Sequence, residues 1–134
     1  MDHNYWRVGI LDRQALYVCR YYMAPDHWQI IHSQRRRNRR EGKFESVPLE
    51  RAPFQLIKPA LRATNSIGDG LYGVDIKQIG SRFYVMEVDD NPNIDAGVED
   101  GILKDALYDR ILSVFLARIE ARKMTPLKNG SANE

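Results

Sequence analysis

The stretch that most constrains the fold spans residues 73–100 and reads GVDIKQIGSRFYVMEVDDNPNIDAGVED. Two runs of alternating apolar and polar residues flank Gly80-Ser81, and this pattern predicts a β-hairpin. A polar segment rich in Asn and Asp follows the second run. The hairpin also carries three carboxylates that a plain hairpin does not need: Asp75, Glu87 and Asp89. Any account of function has to explain these three residues.

The register of the hairpin decides whether the carboxylates share a face, because a one-residue slip moves every side chain to the opposite face. A two-residue turn at Gly80-Ser81 would place Asp75 opposite Met86. A three-residue loop, from Gly80 to Arg82, would place Asp75 opposite Glu87. Only this loop also gathers five apolar residues for burial, namely Val74, Ile76, Tyr84, Met86 and Val88. We therefore predict the three-residue loop, with Asp75, Glu87 and Asp89 on one face.

Carboxylates this close together raise one another's pKa unless a cation lies between them. Hard oxygen ligands suit magnesium or manganese, whose coordination is completed by water and substrate phosphates. The hairpin thus predicts a metal site with Asp75, Glu87 and Asp89 as ligands. A calcium loop over residues 89–100 is disfavoured, because Ile94 stands where such loops need a Gly. A charged hairpin without a ligand is the remaining alternative, although clustered carboxylates without partners cost stability.

The motifs GVDI, YVMEV and DNPNIDAGVED resemble the C-terminal part of ATP-grasp ligases, in the RimK-like branch of glutamate ligases related to the ribosomal protein S6 modification enzyme. Upstream, WRVGILD, ALYVCRYYMAP, HWQI and GKFESVPLERAP extend the resemblance over most of residues 5–112. It implies an α+β fold, mostly antiparallel sheet with helices packed on one face. It also implies two magnesium ions held by Asp75, Glu87 and Asp89. Asp89 stands where the family has Asn, which adds a negative charge to the ligand set.

The activity implied by the resemblance is ATP-dependent formation of an amide bond, through an acyl phosphate, between a carboxylate acceptor and an amine donor. Mg²⁺ or Mn²⁺ and ATP are the cofactors expected. Arg7 matches the family's strand arginine and is expected to support the cofactor site, although Tyr5 replaces the Asp that precedes it in the family. Arg20 is expected to contact phosphate or acyl-phosphate oxygens, as both a catalytic and a cofactor-binding residue. Asn91 and Asn93 are expected to meet the acceptor substrate.

The family's nucleotide-covering lysine and Gly-rich loop would lie N-terminal to residue 1. Residues 1–124 are therefore expected to form the C-terminal half of an ATP-grasp domain that is incomplete for catalysis alone, and residues 125–134 a disordered tail. A second hypothesis is a non-catalytic or partner-dependent module that binds a metal, a peptide or a second chain. A third is RNA binding through five arginines between Arg35 and Arg40, which is less favoured because no aromatic residues interleave the run.

The rest of the chain predicts an α+β domain. A hairpin is expected over residues 6–23, short strands over 27–32 and 44–47, and helices over 53–67 and 104–122. The second helix carries an apolar stripe typical of core packing: Leu107, Ile111, Val114, Phe115 and Ile119. Cys19, the single cysteine, is expected to be a small core residue in a reducing compartment. With no membrane span or secretion leader in the sequence, the cytoplasm is the expected location.

Overall fold

A computed structural model describes residues 3–22 and 44–124. It has five strands: β1 (His3–Leu11), β2 (Gln14–Tyr22), β3 (Phe44–Val47), β4 (Leu71–Ile79) and β5 (Arg82–Asp89). It has two α-helices, α1 (Phe54–Asn65) and α2 (Asp105–Met124), and a short 3-10 helix at Leu49–Arg51. These elements confirm the predicted α+β class. The predicted strand over residues 27–32, the arginine run and the predicted tail lie outside the described residues.

The five strands form one antiparallel sheet in the order β3-β2-β1-β4-β5. The predicted N-terminal hairpin is confirmed as β1 and β2. Its turn residues Asp12 and Arg13 have φ values of 51° and 64°, as a two-residue type I′ turn requires. β1 also pairs along its whole length with β4, from His3 opposite Ile79 to Leu11 opposite Leu71. This long-range pairing brings the N-terminal strand beside the predicted metal hairpin.

Helix α1 packs on one face of the sheet, here called the helix face. Leu56 and Ala60 of α1 are fully buried, as Leu and Ala four residues apart on one side of a helix should be. They belong to a core with apolar residues of β1, β2 and β4: Trp6, Val8, Ile10, Val18, Tyr72, Val74 and Ile76. The helix continues through Pro59 and ends at Asn65, two residues before the predicted end. Burial of this face contributes apolar stabilisation to the sheet.

The hairpin of β4 and β5 corrects the predicted turn but keeps the predicted pairing of carboxylates. Ile79 lies opposite Arg82, so the turn has two residues, Gly80-Ser81. Gly80 takes a φ of +61°, as the first position of a primed two-residue turn requires. A β-bulge then adds Met86 between the Ile76–Val85 and Asp75–Glu87 pairs. One inserted residue shifts the register by one, so Asp75 still lies opposite Glu87.

The predicted burial of the hairpin is wrong at two of its five positions. Val74 and Ile76 are fully buried, and Val88 packs against the core. Tyr84 and Met86 are instead 44% and 49% exposed. Phe83 packs against the core, because the two-residue turn places it opposite Gln78 on the helix face.

The chain divides into two compact units, Met1–Lys104 and Asp105–Glu134, and α2 belongs to the second. In α2, Leu107 is fully buried, but Phe115 and Ile119 are 36% and 52% exposed. The prediction that the whole stripe packs in a core is therefore wrong for these two residues. Among the described helices, none is long and apolar enough to cross a membrane.

Candidate functional site

The face of the sheet opposite α1 carries the predicted metal ligands and is here called the carboxylate face. Arg7 on β1 lies directly opposite Asp75 on β4, and Asp75 lies directly opposite Glu87 on β5. Asp89 lies opposite Gly73, two residues along the same strands. Directly opposed residues have Cβ atoms about 5 Å apart. Three adjacent strands therefore place one arginine and three carboxylates on one face.

Arg7 and Asp75 form a buried, two-point ion pair at the centre of this face. Nε of Arg7 donates to Oδ1 of Asp75 at 2.6 Å, and Nη2 donates to Oδ2 at 2.9 Å. Arg7 is fully buried, and Asp75 is 6% exposed. Burial alone would lower the pKa of Arg7, but the hydrogen bonds and charge of Asp75 outweigh it and raise the pKa. Arg7 therefore stays protonated, and its two hydrogen bonds fix the orientation of the Asp75 carboxylate.

The third nitrogen of the Arg7 guanidinium, Nη1, lies beside Gly73. Among the described residues, Nη1 of Arg7 has no hydrogen-bond partner. A Cβ at Gly73 would lie 2.9 Å from this nitrogen and 2.9 Å from Cβ of Pro92. The loop after β5, residues 90–104, is here called the acidic loop. Gly73 lets the start of this loop approach Arg7 closely, where a larger residue would push one of them away.

Tyr5 occupies the position where the family resemblance leads one to expect Asp. It lies on the carboxylate face opposite Lys77, whose Nζ is 5.9 Å from the centre of the Tyr5 ring. The side chain is 2% exposed, and its hydroxyl has no hydrogen-bond partner among the described residues. Burial raises the pKa of this hydroxyl. Tyr5 therefore contributes a neutral phenol where a carboxylate was expected.

The other predicted site residues lie at the open end of the face. Glu87 is exposed, Asp89 is half-buried, and both Asn91 and Asn93 are exposed in the loop after β5. The backbone N–H of Asn91 donates to Oδ1 of Asp89 at 2.9 Å. Within the described parts of the chain, no group of three or more Asp, Glu, His or Cys side chains is gathered closely enough to hold a metal ion. The register thus aligns the three carboxylates, but their side chains do not converge.

The acidic loop after β5 is anchored on the carboxylate face. The carbonyl oxygen of Val98 accepts hydrogen bonds from Oγ of Ser46 at 2.6 Å and from Sγ of Cys19 at 3.4 Å. Cys19 and Val98 are almost fully buried, which confirms the predicted core position of the cysteine. Nearby, Glu99 is 2% exposed and its Oε1 accepts from the Asp95 backbone at 3.4 Å. These contacts tie the loop to β2 and β3 beside Arg7.

The structure does not bring Arg20 to the carboxylates. Arg20 lies opposite Trp6 on β1 and Glu45 on β3, and Trp6 belongs to the helix face. Arg20 and Asp75 are therefore on opposite faces of the sheet. In its place, the structure puts Arg7 against Asp75, a contact between residues 68 positions apart. No local sequence pattern specifies such a contact, because it depends on the pairing of β1 with β4.

A comparison with models of protein families finds no match, and a comparison with curated proteins finds no matching relative.

Proposed function

We propose that this chain is the metal-binding C-terminal half of an ATP-dependent carboxylate–amine ligase of the ATP-grasp, RimK-like type. The observation that supports this most is the register of β1, β4 and β5, which aligns Arg7, Asp75 and Glu87 in one row. Asp89 follows on the same face. A structural hairpin gains nothing from three carboxylates on one face, since like charges on neighbouring strands are destabilising.

The donor chemistry fits a hard divalent cation such as Mg²⁺ or Mn²⁺. Asp75, Glu87 and Asp89 would hold it. The three carboxylates and Arg7 together carry a formal charge of about −2, and Lys77 on the same face reduces it to about −1, which still attracts a divalent cation. The Arg7 hydrogen bonds do not remove Asp75 as a ligand, because each carboxylate oxygen has a second lone pair.

A bound divalent cation would supply charge neutralisation for the phosphates of ATP. Arg7 would hold Asp75 in a fixed orientation, since two hydrogen bonds to a planar guanidinium leave its carboxylate little freedom. The reaction class is transfer of a phosphoryl group to an acceptor carboxylate, followed by attack of an amine and release of phosphate. Asn91 and Asn93, exposed beside the ligands, would contact the acceptor.

The proposed site is tested by a Mn²⁺ titration of the ¹⁵N-labelled chain, observed by amide NMR. Paramagnetic broadening should concentrate around residues 75, 87 and 89. It should be lost in Glu87→Gln/Asp89→Asn, which leaves the buried Arg7–Asp75 pair intact. Glu120→Gln, an exposed carboxylate on α2, is the matched control and should keep the broadening. Diffuse broadening, or broadening that persists in the double variant, would contradict the proposal.

The second candidate, a partner-dependent module without turnover, is favoured by the edge of the sheet. In the sheet formed by residues 3–22 and 44–89, β5 is an outer strand, and Tyr84, Val85 and Met86 are 44%, 38% and 49% exposed. An exposed apolar edge strand can pair with another chain. Addition of Mg²⁺ and ATP separates the two functions. Chemical shift changes at Tyr5, Arg7 and Gly73 on addition of ATP would support the ligase function. Binding of Mn²⁺ without any ATP-dependent shift would favour the partner-dependent module.

RNA binding through the arginine run stays a prediction, because residues 35–40 lie outside the described residues. It requires an affinity that falls steeply with salt concentration. A titration with single-stranded RNA at two salt concentrations would test it, and an affinity independent of salt would exclude this mode.

A further inference from the structure

Two arginines line a groove beside β3, apart from the proposed metal ligands. The groove, of about 530 Å³, opens beside the 3-10 helix, within the size range of small-molecule sites. Its cationic side chains are Arg20 and Arg51, and its apolar wall includes Trp6, Pro48 and Ile102. All of these residues belong to the first compact unit.

Arg20 is held in this groove by aromatic rings. Its Cζ lies 5.1 Å from the centre of the Trp6 ring and 4.9 Å from that of the Tyr22 ring. Stacking of this kind fixes a guanidinium without neutralising its charge or occupying its N–H donors. Nε of Arg20 is buried and has no hydrogen-bond partner among the described residues.

The groove also contains one carboxylate, that of Glu45. Glu45 lies opposite Arg20 on β3, but its Oε2 accepts the hydroxyl hydrogen of Tyr22 at 2.7 Å. Gln78, also in the groove, accepts from the Trp6 indole at 2.9 Å and donates to the Gly80 carbonyl at 2.8 Å. These polar neighbours are thus engaged in other hydrogen bonds. Arg20, exposed Arg51 and Glu45 together give the groove a formal charge of about +1, which favours an anion.

From this arrangement we infer that the groove binds a small organic oxyanion, a carboxylate or phosphate carried on an apolar frame. The guanidinium of Arg20 would bind the oxyanion, because planar guanidinium groups recognise carboxylate and phosphate oxygens through paired hydrogen bonds. Arg51 would add a second positive charge, and Trp6, Pro48 and Ile102 would cover the frame. This inference does not rest on the proposed function, since none of the proposed metal ligands lines the groove.

The test is a titration of the ¹⁵N-labelled chain with phenyl phosphate and with benzoate, and with benzyl alcohol as the uncharged control. The indole N–H of Trp6 reports on the groove, and Trp28→Phe assigns the two indole signals. We expect saturable shifts with phenyl phosphate, benzoate or both, at about millimolar affinity, and none with benzyl alcohol. The relative affinity of the two anions then distinguishes a phosphate site from a carboxylate site.

Variants locate the binding. Arg20→Gln and Arg51→Gln should each weaken the affinity about tenfold, as the loss of a charge-assisted hydrogen bond does. Arg62→Gln, on α1 and outside the groove, is the matched control and should leave the affinity unchanged. If Arg20→Gln fails to fold, Arg51→Gln decides the question, because the side chain it changes is exposed. Absence of saturation, or equal weakening in Arg62→Gln, would overturn the inference.

Discussion

Replacing Asp75 with asparagine would leave the guanidinium of Arg7 buried without its counter-charge. The side chains of the pair are 1% and 8% exposed, so water cannot replace the lost carboxylate. Removing one partner of a buried pair typically costs about 3–5 kcal/mol. The introduced amide would keep one acceptor oxygen, which places the expected cost near the lower limit, about 3 kcal/mol. A domain of this size has a total stability of about 5–15 kcal/mol, so this loss is large.

A double-mutant cycle measures the contribution of the pair by urea unfolding, followed by tryptophan fluorescence. The variants are Asp75→Asn, Arg7→Met and the double variant. Methionine fills much of the space of the arginine stem and removes the buried charge. We therefore expect the double variant to be more stable than the sum of the single losses predicts, by about 2 kcal/mol.

Arg62→Gln serves as the surface control, with an expected change within about 0.5 kcal/mol. If Asp75→Asn is too unstable to fold, recovery of folding on adding Arg7→Met has the same meaning. Single losses that add within about 0.5 kcal/mol would refute the reasoning, because they would show that the two residues act independently.

Three further predictions concern single positions, each checked by urea unfolding. Tyr5→Phe should stabilise the fold by about 1 kcal/mol, because it removes a buried hydroxyl without a partner among the described residues. Burial raises the Tyr5 pKa above 10.0. A raised pKa means that the folded state holds this proton more tightly, so the associated stability is present below about pH 10 and falls as the pH rises through the folded-state pKa. The variant should lose less stability there, whereas Tyr84→Phe, an exposed control, should not differ from the wild type. Gly9→Ala should cost about 1–3 kcal/mol, since its Cβ would collide with the buried Tyr17 ring. Leu56→Ala should cost about 2–5 kcal/mol, because it empties the contact between α1 and the sheet. Unchanged unfolding midpoints for Gly9→Ala and Leu56→Ala would contradict the packing described.

The turn of the β4–β5 hairpin shows where a prediction from burial patterns alone is wrong. The sequence prediction of a three-residue loop assumed a regular ladder, in which only that loop pairs Asp75 with Glu87. The structure reaches the same pairing through a two-residue turn and a bulge at Met86. A bulge changes the register without leaving a periodic trace in the sequence. Between the turn and the bulge, the two-residue turn sets the faces, so Phe83, and not Tyr84, packs against the core.

The amino-acid sequence was sufficient for the local elements: the two hairpins, β3, the approximate extents of α1 and α2, and the presence of Asp75, Glu87 and Asp89 on a single strand pair. These follow from alternation, helical spacing and turn residues, which act between near neighbours in the chain. The three-dimensional fold was needed to establish that β1 lies beside β4, so that Arg7 binds Asp75, and that Arg20 belongs to the opposite face. These outcomes depend on pairings between strands distant in sequence, where the burial of the whole sheet sets the partner and the face.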